Sequence, residues 1–172
     1  MLTKQTKFVL AVALQVLVIF AIIVFKLSVL TGGTDILLKV APVDPRDLLR
    51  GDYATFEYDI SNVDWSYYGN GRQIKIKGGD TVYVTLRQSG KYHIVRAVEK
   101  NRPTGGEIFI KGTVDSGGSQ IHVIYGIEQY FIPEGTGQNF NFFDKEVAAK
   151  VAVDENGNAG LKQIYIDNEP WP

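Results

Sequence analysis

The chain has 172 residues, 45% hydrophobic, 12% aromatic and 22% charged, which is room for one globular domain and little else. Eighteen Lys and Arg against 19 Asp and Glu give a formal charge of -1, and setting aside Lys4, Lys7 and Lys26 leaves the rest acidic, the opposite of a nucleic-acid binder. There is no cysteine, which excludes disulfides, thiol nucleophiles and Cys-ligated zinc or iron–sulfur sites.

The first element is an apolar run from Phe8 to Phe25, broken only by Gln15. As a helix rising ~1.5 Å per residue it covers roughly 27 Å, or roughly 34 Å to Leu30 with the Lys26 ammonium snorkelling outward, so it can cross a bilayer. Lys4 and Lys7 precede it, whereas Lys26 is followed by uncharged residues as far as Asp35, and the positive-inside bias puts the N-terminus in the cytoplasm. A cleaved secretory signal would need a shorter core and a small-x-small site, for which Lys26-Leu27-Ser28-Val29-Leu30 is a poor substitute. A buried core helix fits worse, because the segment is apolar all round. Residues 1–32 are therefore expected to be a retained signal anchor in the cell membrane, with residues 33–172 as a domain outside the cytoplasm.

Beyond Asp35 the continuous run gives way to alternation punctuated by Gly and Pro, the pattern of an antiparallel β domain. Strands are predicted at Ile36 to Val40, Tyr53 to Ile60, Ile74 to Lys77, Val82 to Leu86, Tyr92 to Glu99, Ile108 to Val114, Ile121 to Tyr125, Val147 to Val153 and Ala159 to Ile166. In the second of these Ala54, Phe56, Tyr58 and Ile60 share the inward face, while Tyr53, Thr55, Glu57 and Asp59 face the other way. Ser61 to Gly71, with Trp65, Tyr67 and Tyr68, reads as a long aromatic loop, and Asn101 to Glu107 as a shorter one. The expected fold is mainly β: one transmembrane helix, then an antiparallel barrel or sandwich of about eight or nine strands, large enough for a single core.

Two segments are dense in unusual residues. In Ala41 to Tyr53, Pro42 and Pro45 fix φ, and Asp44, Arg46, Asp47 and Arg50 can pair their charges before Gly51, Asp52 and Tyr53 open a strand. This reads as a rigid turn held by ion pairs, or as a binding surface. The Arg50-Gly51-Asp52 triplet leads straight into a strand and makes a poor adhesion loop. In Tyr125 to Gly137, Tyr125, Glu128, Tyr130 and Glu134 stand among glycines. Glu128 is expected to pair with a basic residue and Glu134 to end a strand, with an acid/base pair or a partner contact as the alternatives.

The other motifs are weak. His93 and His122 sit singly in predicted strands, whereas zinc would need both to converge with a carboxylate. Asp154 to Asn158 has calcium-loop residue types with the glycine at the wrong offset, and reads as an Asn-Gly hairpin turn. No Gly-x-Ser-x-Gly elbow and no phosphate loop is present, and no cofactor is implied.

Gly51-Asp52-Tyr53-Ala54-Thr55-Phe56-Glu57-Tyr58 resembles the signature of the bacterial GDYXXLXY protein family, with Phe56 at the leucine position. Pro42 to Arg50 and Tyr125 to Gly137 are similar to the same family, so the resemblance runs over nearly the whole chain. It implies a membrane-anchored protein, often encoded beside multi-spanning membrane proteins, and supplies no mechanism. Arg50 to Phe56 followed by His93 to Val98 also looks like a pair of strands in type I signal peptidases. Their catalytic serine box is missing, since Ser28 is followed by Val29 rather than methionine. The function expected is that of a non-enzymatic accessory or interaction subunit of a multi-spanning membrane protein. The alternatives are a membrane-tethered hydrolase acting on peptide or envelope glycan, with Glu128, Glu134 or Asp52 as carboxylates, and a ligand-binding sensor.

Overall fold

A computed structural model of the chain describes residues 3–41, 53–64, 76–116, 120–131 and 145–171, with Tyr53 and Ala54 described in backbone alone. The apolar run forms α1 (Lys4–Gly32), capped by the Thr3 hydroxyl, which accepts the Thr6 N–H at 3.2 Å. Its large apolar side chains from Phe8 to Leu27 are 42% to 70% exposed, so the helix is bare on every side, and it is long and apolar enough to cross a membrane. The Ser28 and Thr31 hydroxyls donate back to the Phe25 and Leu27 carbonyls at 2.8 and 2.9 Å, which satisfies them within the helix.

The last turn of α1 belongs to the domain. Val29 is buried, and Gly160 lies so close that a Cβ there would come within 2.7 Å of Leu30 Cδ2. Only Gly33 separates the helix from β1 (Thr34–Lys39), so the chain passes from helix to sheet without a linker.

The remaining strands are β2 (Tyr53–Thr55), β3 (Asn62–Asp64), β4 (Thr81–Ser89), β5 (Tyr92–Glu99), β6 (Phe109–Ser116), β7 (Gln120–Ile124), β8 (Gln129–Phe131), β9 (Val147–Val153), β10 (Ala159–Ile166) and β11 (Glu169–Trp171). They form antiparallel sheets in the orders β1-β9-β10-β11 and β3-β7-β6-β4-β5, with β2 paired to β8. One core unites them: Leu38 of β1, Val84 of β4, Ile110 of β6 and Ile164 of β10 are all fully buried. Each such side chain contributes about 1.5–3 kcal/mol on leaving water. The sheets are also tied by main-chain bonds, Ala41 N–H to Glu57 O at 2.7 Å on one side and Lys111 N–H to Gly157 O at 2.8 Å on the other.

The mainly β class therefore stands, with eleven strands among the described residues rather than eight or nine. The strand expected from Tyr53 to Ile60 is broken. Its inward face is as read, with Phe56, Tyr58 and Ile60 buried, but the backbone changes partner after Phe56. Phe56 N–H goes to Glu128 O, Tyr58 bridges Val40, and a turn at Asp59 to Ser61 leads into β3. That strand lies inside the stretch read as aromatic loop and pairs Asn62 with His122; Trp65, Tyr67 and Tyr68 lie outside the described residues. Ile76 and Lys77, read as strand, instead enter a turn in which the Asp80 carboxylate accepts the Lys77 N–H at 2.9 Å. Residues 154–158 form the expected hairpin turn, with Asp154 accepting from the Asn156 and Asn158 N–H groups at 2.8 Å and Gly157 at φ 79.

Candidate functional site

Tyr53 to Ile60, the stretch that carries most of the signature, meets the second dense segment. Phe56 N–H donates to the Glu128 carbonyl at 2.7 Å, the β2–β8 register sets Tyr53 opposite Phe131 and Ala54 opposite Tyr130, and two phenols cross between the segments. The Tyr58 hydroxyl donates to the Ile127 carbonyl at 2.6 Å, and the Tyr125 hydroxyl donates to the Ile60 carbonyl at 2.6 Å. Burial pushes both phenols well above their ordinary pKa, with the Glu128 charge adding to it, so both are neutral donors. Gly112 of β6 makes room for this: a Cβ there would overlap the Val123 side chain and sit 3.0 Å from the Tyr125 ring.

Among the described residues Glu128 meets no basic side chain; its Oε1 accepts the Tyr125 N–H at 2.6 Å, closing its own loop. Tyr130 is half-buried and its ring lies 6.0 Å from that of Trp171, which also meets Phe56 edge-on at 6.4 Å. Asp44, Arg46, Asp47, Arg50, Gly51, Asp52 and Glu134 lie outside the described residues, as does the side chain of Tyr53. Of the carboxylates offered for a hydrolase, Glu128 alone is among the described residues.

Beside the crossed phenols opens a cavity of about 450 Å³, walled by Thr55, Phe56, Glu57, His122, Ile124 and Glu128 among others. Its polar wall is a short chain of contacts: Asn62 Nδ2 donates to Glu57 Oε1, Asn62 Oδ1 faces His122 Nδ1 at 3.0 Å, and that nitrogen lies 3.7 Å from Glu57 Oε1. Because the Asn62 amide nitrogen is committed to Glu57, its oxygen turns to the ring and selects the tautomer with the proton on Nδ1. Such a wall can hold a polar or cationic group. The Ser61 hydroxyl, a buried wall member, accepts the Tyr58 N–H at 3.3 Å.

Sequence reasoning weighed His122 only as a zinc ligand and passed over Glu57 and Asn62. The available signal was the outward phase of Glu57 within the signature strand; the pairing of Asn62 with His122 depends on β3, which is too short to read. His93 lies on β5 with its Nδ1 buried and lacking a hydrogen-bond partner among the described residues.

A family model described as "GDYXXLXY protein" matches residues 15–164, most of the chain. No curated protein and no solved structure is significantly similar to it.

Proposed function

The chain belongs to the GDYXXLXY protein family, and we propose that it is a non-enzymatic accessory subunit of a multi-spanning membrane protein. In this reading α1 is a retained signal anchor in the cell membrane, the N-terminus is cytoplasmic and the β domain stands outside the cytoplasm. The observation that carries it is the rigid join at Gly33: an apolar helix bare on every side enters β1 directly and buries Val29 against β9 and β10. Such a join fixes the domain at the membrane surface. A helix bare in lipid can pack against another, and confinement to one plane raises effective concentration enough for a weak interface to suffice.

The contact face follows from what remains exposed. Apart from α1, the exposed large apolar side chains among the described residues are Ile124 of β7 and Phe131 of β8. Ile124 and Gln129 share the 450 Å³ cavity, and Gln129 also touches the cleft at the end of α1. A partner packed along α1 would therefore meet this face first.

Mild-detergent purification at native expression tests the proposal. The chain is expected to co-migrate with a multi-spanning protein, and Ile124→Asp to release it; a chain that runs alone with its neighbours present overturns the idea. The cavity itself favours a second reading, a sensor that binds a small polar or cationic ligand through Glu57 and His122. That reading predicts a ligand-dependent rise in melting temperature which Glu57→Gln abolishes.

A further inference from the structure

Where α1 meets the domain there is a second cleft, about 210 Å³, walled by Lys26, Val29, Leu30, Ile127 and Leu161, with Gly160 in its floor. Four of these are apolar side chains and one is a cation. Lys26 ends the apolar run, so with α1 in a bilayer its ammonium lies at the depth of the headgroups on the domain side. Among the described residues no carboxylate pairs with it, whereas the neighbouring lysines do have a partner: Asp35 holds both Lys150 at 2.9 Å and Lys162 at 2.7 Å. Asp35 is three residues beyond the helix end at Gly32, so this trio, itself net positive, lies within about 10 Å of that end.

We infer that this cleft is an anionic-phospholipid site, in which Lys26 meets the headgroup phosphate and the walls of Val29, Leu30, Ile127 and Leu161 take the upper part of an acyl chain. The occupant is a bilayer lipid because the charge is at headgroup depth and the apolar walls continue directly into the bare surface of α1. Free phosphate would match the lysine and leave those walls wet. The inference requires α1 to lie in a membrane and is independent of any protein partner.

The test uses the full chain in nanodiscs of equal phosphatidylglycerol and phosphatidylcholine, with the lipids retained after gentle release counted by native mass spectrometry. Flotation of the loaded discs separately confirms insertion. The wild-type chain is expected to retain phosphatidylglycerol about five-fold over phosphatidylcholine. Lys26→Gln should erase the preference while still inserting, and Gln129→Trp, at an exposed strand position on the cleft wall, should plug it and reduce retention of both lipids. Equal retention by the wild type, a preference unchanged by Lys26→Gln, displacement of the lipid by inorganic phosphate, or a polypeptide held there in place of lipid would each overturn the inference.

Discussion

Tyr58 and Tyr125 each fasten the segment that carries the other: the Tyr58 hydroxyl donates to the Ile127 carbonyl and the Tyr125 hydroxyl to the Ile60 carbonyl, both at 2.6 Å. The second tyrosine of the family signature is thus a strut inside the wall, and its ring is fully buried. Tyr58→Phe leaves the Ile127 carbonyl without this donor and should cost about 1–3 kcal/mol in urea unfolding of the detergent-solubilised chain. Tyr125→Phe should cost a similar amount. Because both bonds hold the same two segments, the double variant should depart from additivity by at least about 0.5 kcal/mol. Additive losses would mean that the two struts act independently.

His93 should make stability depend on pH near neutrality. Burial lowers its pKa, outweighing an opposing interaction with the Leu37 backbone, so the unfolded chain takes up the proton first. Stability is then full above the ordinary histidine value and declines as pH falls below about 6.5. The melting temperature should drop between about pH 7 and about pH 5 in the wild type, and His93→Gln should flatten that part of the curve.

A second decline should appear at lower pH. The Lys162 and Lys150 ammonium groups hold the Asp35 carboxyl below its usual range, and Lys91, with Tyr92, does the same for Glu146. Depressed carboxylates stabilise the fold above their unfolded pKa and lose that contribution as pH falls through the folded value, here below about pH 4. These groups are solvent-exposed, so the effect should be modest and should shrink in high salt. Asp35→Asn should remove its share of the acid slope.

The join between helix and domain should fail at Gly160. A leucine there would drive its Cβ into Leu30 and push the end of α1 off β10, costing about 1–3 kcal/mol by overpacking. The natural sequence has no cysteine, so spin labels can be placed singly at will. The distance distribution between labels at residues 27 and 162 should be narrow in the otherwise wild-type chain and broad with Gly160→Leu.

What the sequence made legible was whatever depends on local pattern. The strands read at Tyr92 to Glu99, Val147 to Val153 and Ala159 to Ile166 match β5, β9 and β10 end to end, because clear alternation or a continuous apolar run is bounded there by Gly or Asn turns. The three-residue strands β3 and β11 escaped notice, and β8 was read only as a strand of unstated start ending at Glu134, since so few residues show no period and exist as strands only through their partners. β11 had one usable sign: Asp167 and Asn168, at φ 53 and 69, are suited to the tight left-handed turn of a two-residue hairpin. The site was less legible still. Tyr58 and Tyr125 could be singled out by segment, but their exchange of carbonyls, and the approach of Glu57 to His122, are made by chain crossings between sheets that no local pattern encodes.

The account depends most on α1 as a retained anchor with the domain outside. Its most direct test labels single cysteines, at residue 4 or residue 116, with an impermeant maleimide in spheroplasts. The account predicts a full-length, membrane-bound chain labelled at 116 in intact spheroplasts and at 4 only after lysis. Labelling at 116 that also requires lysis, or a shortened chain released from the membrane, would contradict it.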